Sequence, residues 1–181
     1  TMENLTATPR RQYAWDPLVR LFHWSLVACV LANFLLLEEG DPPHRWAGYM
    51  ASGLVLFRLV WGFVGSRHAR FASFFPTPSR LRHHLQQLRA GTLPHSVGHN
   101  PLGALMMLAL MALVLSLGAT GYLMGTDTYW GEDWLEELHE GLANTLMLAV
   151  GLHAAAAIVM SKLEKVNLVR AMVTGYKTWR Q

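Results

Sequence analysis

Four of the nine histidines in this 181-residue chain, His23, His44, His139 and His153, sit within or at the mouths of long apolar runs. Imidazole nitrogen is a good transition-metal ligand, but a single intramembrane histidine often does no more than hydrogen-bond a neighbouring helix. Four together ask for more. His139 and His153 are 14 residues apart, which on a helix returns to nearly the same face about 21 Å further along. Arg58 follows His44 at the same interval. A charge or imidazole in an otherwise lipid-compatible stretch costs a few kcal/mol, so each of these residues needs a partner.

The elements that must position them are apolar runs of about 20 residues, the length that crosses a roughly 30 Å hydrocarbon core. Four occur: Leu18–Leu37, Trp46–Val64, Leu102–Met124 and Leu138–Met160. The composition agrees, at 52% hydrophobic and 15% charged against about a quarter charged in soluble domains. The first run ends Leu-Leu-Leu-Glu-Glu-Gly with no small-x-small cleavage site, so it reads as a retained helix. A single cysteine, Cys29, excludes a disulfide framework, a Cys-rich metal site and a C-x-x-C-H attachment of c-type haem. The +3 formal charge is sorted by segment rather than spread over a surface, which argues against nucleic acid as a partner.

That sorting sets the orientation. Arg10, Arg11 and Arg20 precede or open the first run; Arg67, Arg70, Arg80, Arg82 and Arg89 join the second to the third; Lys162, Lys165, Arg170, Lys177 and Arg180 form the tail. The other two connections are acidic, with Glu38, Glu39, Asp41, Asp127, Glu132, Asp133, Glu136, Glu137 and Glu140 against Arg45 alone. Both termini are therefore expected in the cytoplasm. Trp15, Trp24, Trp46, Trp61, Trp130, Trp134 and Trp179 fall near span ends, where amphipathic rings prefer the interface. Outside the spans, Thr77-Pro78 can start an amphipathic helix over 78–90, lying on the membrane and ended by Gly91.

With the spans threaded alternately, His23 and His153 fall in an inner layer and His44 and His139 in an outer one. Two imidazoles facing each other across a bundle core suit a flat macrocycle with axial positions above and below, which predicts two six-coordinate b-type haems. A zinc or di-iron bundle would want carboxylates in both layers, and only the outer one has them nearby. Arg58 is placed to pair with a propionate of the inner haem, snorkelling to the interface being the alternative. Gly48, Gly53, Gly118, Gly121 and Gly151 would let backbones approach a large ring, although small residues also pack bare helix pairs.

These residues together resemble the bacterial cytochrome b561 family and, more broadly, the cytochrome b subunits of nickel–iron hydrogenases and formate dehydrogenases. The matching pieces are Trp15-Asp16-Pro17-Leu18-Val19-Arg20-Leu21-Phe22-His23-Trp24, the stretch from His44 to Gly65 with Arg58 and Trp61-Gly62, Gly98-His99-Asn100-Pro101-Leu102-Gly103, and His139-Glu140-Gly141-Leu142-Ala143-Asn144 followed by Gly151-Leu152-His153. The resemblance implies one all-α, four-helix domain in the bacterial inner membrane, holding two haems b with ligand pairs His23/His153 and His44/His139.

It also implies electron exchange between the membrane quinone pool and a periplasmic redox protein such as a c-type cytochrome, which the acidic outer connection would attract. A homodimer is left open. By analogy, quinone would bind near the inner haem, where Arg20, His99, Asn100 and Lys162 are polar candidates, equally explained as headgroup or propionate contacts. Competing readings are a superoxide:quinone oxidoreductase, a membrane anchor for a hydrogenase-like complex, and a small transporter using intramembrane His and Arg. The four-span plan lacks the extra helix of some hydrogenase subunits, which weighs against the anchor.

Overall fold

The computed structural model describes residues 11–92 and 98–179; Arg10 and Arg180, counted above among the basic flanks, lie outside them. The chain runs β1 (Arg11–Tyr13), α1 (Pro17–Leu35), α2 (Pro42–Val64), α3 (Phe71–Phe74), α4 (Pro78–Ala90), α5 (Pro101–Met124), α6 (Asp133–Leu163), α7 (Leu168–Thr174) and β2 (Tyr176–Thr178). Helices α1, α2, α5 and α6 are long and apolar enough to cross a membrane, and α4 coincides with the expected interfacial helix.

Local sequence explains where the helices start. Asp16-Pro17, Asp41-Pro42, Thr77-Pro78 and Asn100-Pro101 each place a capping residue before a proline, whose fixed φ suits the first helical position and whose missing N–H leaves no donor unpaired. Asp16 accepts from the Val19 amide at 2.9 Å and Asn100 from the Gly103 amide at 2.7 Å. At the other end of α4, Gly91 adopts the left-handed conformation, φ 68°, that stops the helix.

Two spans extend past their apolar runs. Helix α2 begins at Pro42 and α6 at Asp133, so His44 lies on a helix rather than in a connection, and His139 stands nearly two turns inside its helix rather than at its start. Helical hydrogen bonding continues into the polar interface, and Asp133 and Glu136 in the first turn of α6 complement its dipole.

Helix α5 is the spine of the bundle. It packs against both α2 and α6, and α1 packs on α2. Val55 of α2, Ala104, Met111 and Val114 of α5, Phe22 of α1 and Leu146 of α6 form the buried core. By contrast, α6 makes no comparable packing with α1 or α2.

A layer that periodicity does not reveal closes one end. Strand β1 pairs antiparallel with β2, Gln12 opposite Lys177, and the amides of Ala14 and Trp15 bond the Gly175 carbonyl at 2.9 and 3.1 Å. Gly175 has φ 86°, and a Cβ there would meet the Trp15 carbonyl at 2.8 Å. The two ends of the described chain therefore meet on one face, hereafter the termini face, where α3, α4 and α7 also lie. Asp16 ties this layer to the bundle, accepting from Trp61 Nε1 at 3.3 Å and Ser66 Oγ at 2.5 Å.

Candidate functional site

The four histidines meet in two pairs. His23 of α1 faces His153 of α6, and His44 of α2 faces His139 of α6, with ring centres 6.4 Å apart in each pair. The first pair lies toward the termini face and the second toward the far face, as the 14-residue interval requires. Every ring is partly buried.

That spacing has a chemical meaning. Metal–imidazole nitrogen bonds run about 2.0 to 2.1 Å and the nitrogen lies about 1.1 Å from its ring centre, so rings trans across one metal atom sit a little over 6 Å apart. Two imidazoles in direct hydrogen bond would sit closer. The helices carrying each pair also stand apart, α1 from α6 and α2 from α6, as a flat macrocycle between them demands. Among the described residues no group of three or more His, Cys, Asp or Glu is placed to hold a metal ion alone.

Around the far pair, the Thr120 hydroxyl is 2.7 Å from His139 Nδ1 and 2.9 Å from the Ser116 carbonyl. With its one proton given to that carbonyl, the hydroxyl accepts from Nδ1–H and leaves the His139 Nε2 lone pair free for a metal. Sequence reading missed Thr120; the signal was a hydroxyl on α5 at the depth of His139. Gly121, one residue on, brings α5 so near that a Cβ would lie 3.3 Å from the His139 ring.

Arg58 is 1% exposed, so it does not snorkel. One guanidinium nitrogen, Nη2, donates to the Ala69 carbonyl at 3.0 Å, while Nη1 is enclosed with no hydrogen-bond partner. Arg20 Nε, His23 Nδ1 and His99 Nδ1 are enclosed and unpartnered in the same way. Buried donors are seldom left unsatisfied, and a cluster of them beside one histidine pair fits acceptor groups such as carboxylates. The glycines divide. Gly53 and Gly151 have open space where a Cβ would stand, whereas Gly118 abuts Ser52 and serves the packing of α5 on α2.

Of the four polar candidates near this pair, the structure joins two. His99 and Asn100 line a cavity of about 240 Å3 with His84 and Glu164. Arg20 turns instead to α7, its Nη1 donating to the Val173 carbonyl at 2.7 Å, and Lys162 is exposed in the last turn of α6. His99 packs between Trp15 and Phe74, ring centres 4.6 and 4.7 Å away. Burial, then the positive charges of Arg58 and Lys177, pushes its imidazole down to about 3, so it is neutral at physiological pH. Asn100 donates to Glu164 Oε1 at 3.2 Å, and Lys177, 2% exposed, donates to the Gly98 carbonyl at 3.0 Å.

The model of the prokaryotic cytochrome b561 family matches residues 14–175. Among curated relatives, probable Ni/Fe-hydrogenase B-type cytochrome subunits of Azotobacter vinelandii and Rhodobacter capsulatus are each 24% identical, over 93% and 99% of this chain and 89% and 87% of theirs. The subunit of the same name from Cupriavidus necator is 22% identical over 93% of this chain and 87% of its own. No solved structure matches the chain. With four apolar spans and a match over nearly its whole length, the chain belongs to the prokaryotic cytochrome b561 family and is a multi-pass bacterial membrane cytochrome of the b type.

Proposed function

We propose that the protein carries electrons across the bacterial inner membrane through two b-type haems, between the quinone pool and a redox protein on the periplasmic side. The observation that carries this reading is the pair of facing imidazole couples, each 6.4 Å between ring centres, on helices held apart. His23 and His153 would hold one haem, and His44 and His139 the other. Haem iron held in this way takes up and gives back one electron at a time.

The chain's own side chains do the rest. Thr120 sets the tautomer and the ring plane of His139. Arg58 and Arg20 would each offer an enclosed N–H to the propionates of a haem on the termini side, and His99 lies within electrostatic reach of Arg58. Cytoplasmic placement of the termini face follows from its basic segments. Quinone then binds on that side, near His99 and Asn100, and leaves the acidic far face to the protein partner. Glu132, Asp133, Glu136 and Glu137 are exposed there and would steer a lysine-rich surface.

Two partners fit that far face. The first is a c-type cytochrome or similar soluble carrier. The second is a hydrogenase-like enzyme for which this chain is the membrane anchor, and the names of the relatives favour it. Those relatives match over most of their own length, so the four-span plan does not count against the anchor. Detergent-purified protein should show two low-spin haems b per chain in its dithionite-reduced spectrum. One haem removes one layer, and none in haem-replete cells overturns the proposal. Co-purification of a large partner, with no quinol oxidation by the protein alone, selects the anchor.

A further inference from the structure

The cavity on the termini face lies between α4, the start of α5 and the end of α6, and is lined by His84, Gln87, His99, Asn100 and Glu164. Two of these residues carry enclosed polar atoms without a hydrogen-bond partner, His84 Nε2 and Glu164 Oε2. Their side chains are only 5% and 7% exposed. Each unsatisfied polar group is costly to bury, so two beside one cavity ask for a functional reason. The cavity mouth is formed by exposed Arg80 and His83. His99, also in the lining, lies within electrostatic reach of both His23 and His153. The lining therefore includes both exposed groups of this face and a residue that senses the nearer histidine pair.

We propose that Glu164 and His84 receive the protons released when a quinol is oxidised beside the His23–His153 pair and hand them to water on the termini face. The inference rests on the quinone reading above. Oxidation of one quinol to quinone breaks two O–H bonds and releases two electrons and two protons. The two electrons would go one at a time to haem of the kind the histidine pairs would hold, and from it to the acceptor; one proton goes to Glu164 Oε2 and one to His84 Nε2, and both then pass to solvent past Arg80 and His83. The side chains suit the task because a carboxylate oxygen and the free nitrogen of a neutral imidazole each have a lone pair that can take a proton. Asn100 holds the other Glu164 oxygen, which leaves Oε2 to face the incoming proton. The charged or titratable groups around the pair are Lys177 from β2, within electrostatic reach of Glu164, His83 and Arg80 from α4, and His99 ahead of α5. His99, beside two cations, is the poorer carrier.

The test uses haem-loaded protein in phospholipid vesicles with a short-chain quinol, an impermeant ferric acceptor on the far side and a pH dye on the termini side. Glu164→Gln should slow both haem reduction by quinol and dye-detected proton release at least tenfold, and His84→Gln should slow them less. Both variants should keep the wild-type haem content and dithionite-reduced spectrum. In redox infrared difference spectra, Glu164→Gln should also delete a protonated-carboxyl band. Glu164→Asp, which keeps the carboxylate, should recover the rate. Wild-type rates and an unchanged band in Glu164→Gln overturn the inference, as does a Glu164→Asp variant as slow as Glu164→Gln, which marks a structural role. Wild-type protein that quinol cannot reduce overturns the quinone reading itself, and this inference with it.

Discussion

The Thr120 hydroxyl stands 2.7 Å from His139 Nδ1 while holding the Ser116 carbonyl of its own helix. With its proton on that carbonyl, one side chain on α5 would decide which nitrogen of a histidine on α6 is left free to bind a metal. Replacing it with an isosteric methyl leaves the ring free to turn. Thr120→Val should weaken haem retention at the far pair by about 10- to 100-fold, the usual cost of losing a partner behind a metal ligand, and Thr120→Ser should retain it. Haem loss in a dilution series, followed by absorbance, measures this.

Because the two pairs share α6 but lie about 21 Å apart along it, they should be separable. His139→Ala is expected to remove the far haem and leave the other spectrally intact, and His153→Ala the reverse. Low-temperature reduced spectra distinguish the two, with membrane insertion checked by fractionation.

Arg58 is a buried cation whose Nη1 has no partner within the protein. Removing its charge disfavours the added electron nearby. Arg58→Leu should lower the midpoint potential of the haem at His23 and His153 by an amount on the order of tens of millivolts and hardly move the other, because burial and local charge set such potentials. A redox titration of each haem band reads the difference.

Asp16 caps α1 and gathers Ser66 and Trp61. Burial pushes its carboxyl up, but the hydrogen bonds from Ser66, the Val19 amide and Trp61 outweigh it, so the group titrates below its ordinary 3.8. A carboxyl held lower in the folded state contributes stability that is complete above 3.8 and is lost as pH falls through the folded value. Asp16→Asn should therefore cost about 1 to 3 kcal/mol at pH 7. The gap from wild type should narrow in thermal melts taken below pH 3.8.

On the far face, Glu132, Asp133, Glu136 and Glu137 also lie at the start of α6, where acids stabilise the helix dipole whatever docks. Docking adds a kinetic signature. Electron transfer to a purified basic cytochrome should slow steeply between low and physiological salt, and charge-neutral variants of Glu136 and Glu137 should flatten that dependence. A rate independent of ionic strength would sink the docking surface.

What the sequence determined by itself was everything with a period or a length. Apolar runs of about 20 residues dictate spanning helices because lipid leaves backbone groups no other partner. A 14-residue interval dictates that His139 and His153 share a face, because four helical turns bring the chain round again. The interfacial helix was legible from Thr77-Pro78 and Gly91, and the same cap-then-proline signal stood unread at Asp41-Pro42, which is why α2 begins earlier than its apolar run. Other relationships belonged to the tertiary structure alone. The pairing of β1 with β2, the seating of Lys177 under Gly98, and the meeting of His84, Asn100 and Glu164 join residues far apart in the chain, and three-residue strands or single polar side chains carry no periodic signal. Arg20 and Lys162 looked equivalent to His99 and Asn100 in sequence; only the packing of α7 and the end of α6 separates them. Thr120 shows the same physics at closest range, since a hydroxyl in an apolar helix acquires a role only when another helix brings a ring nitrogen to 2.7 Å.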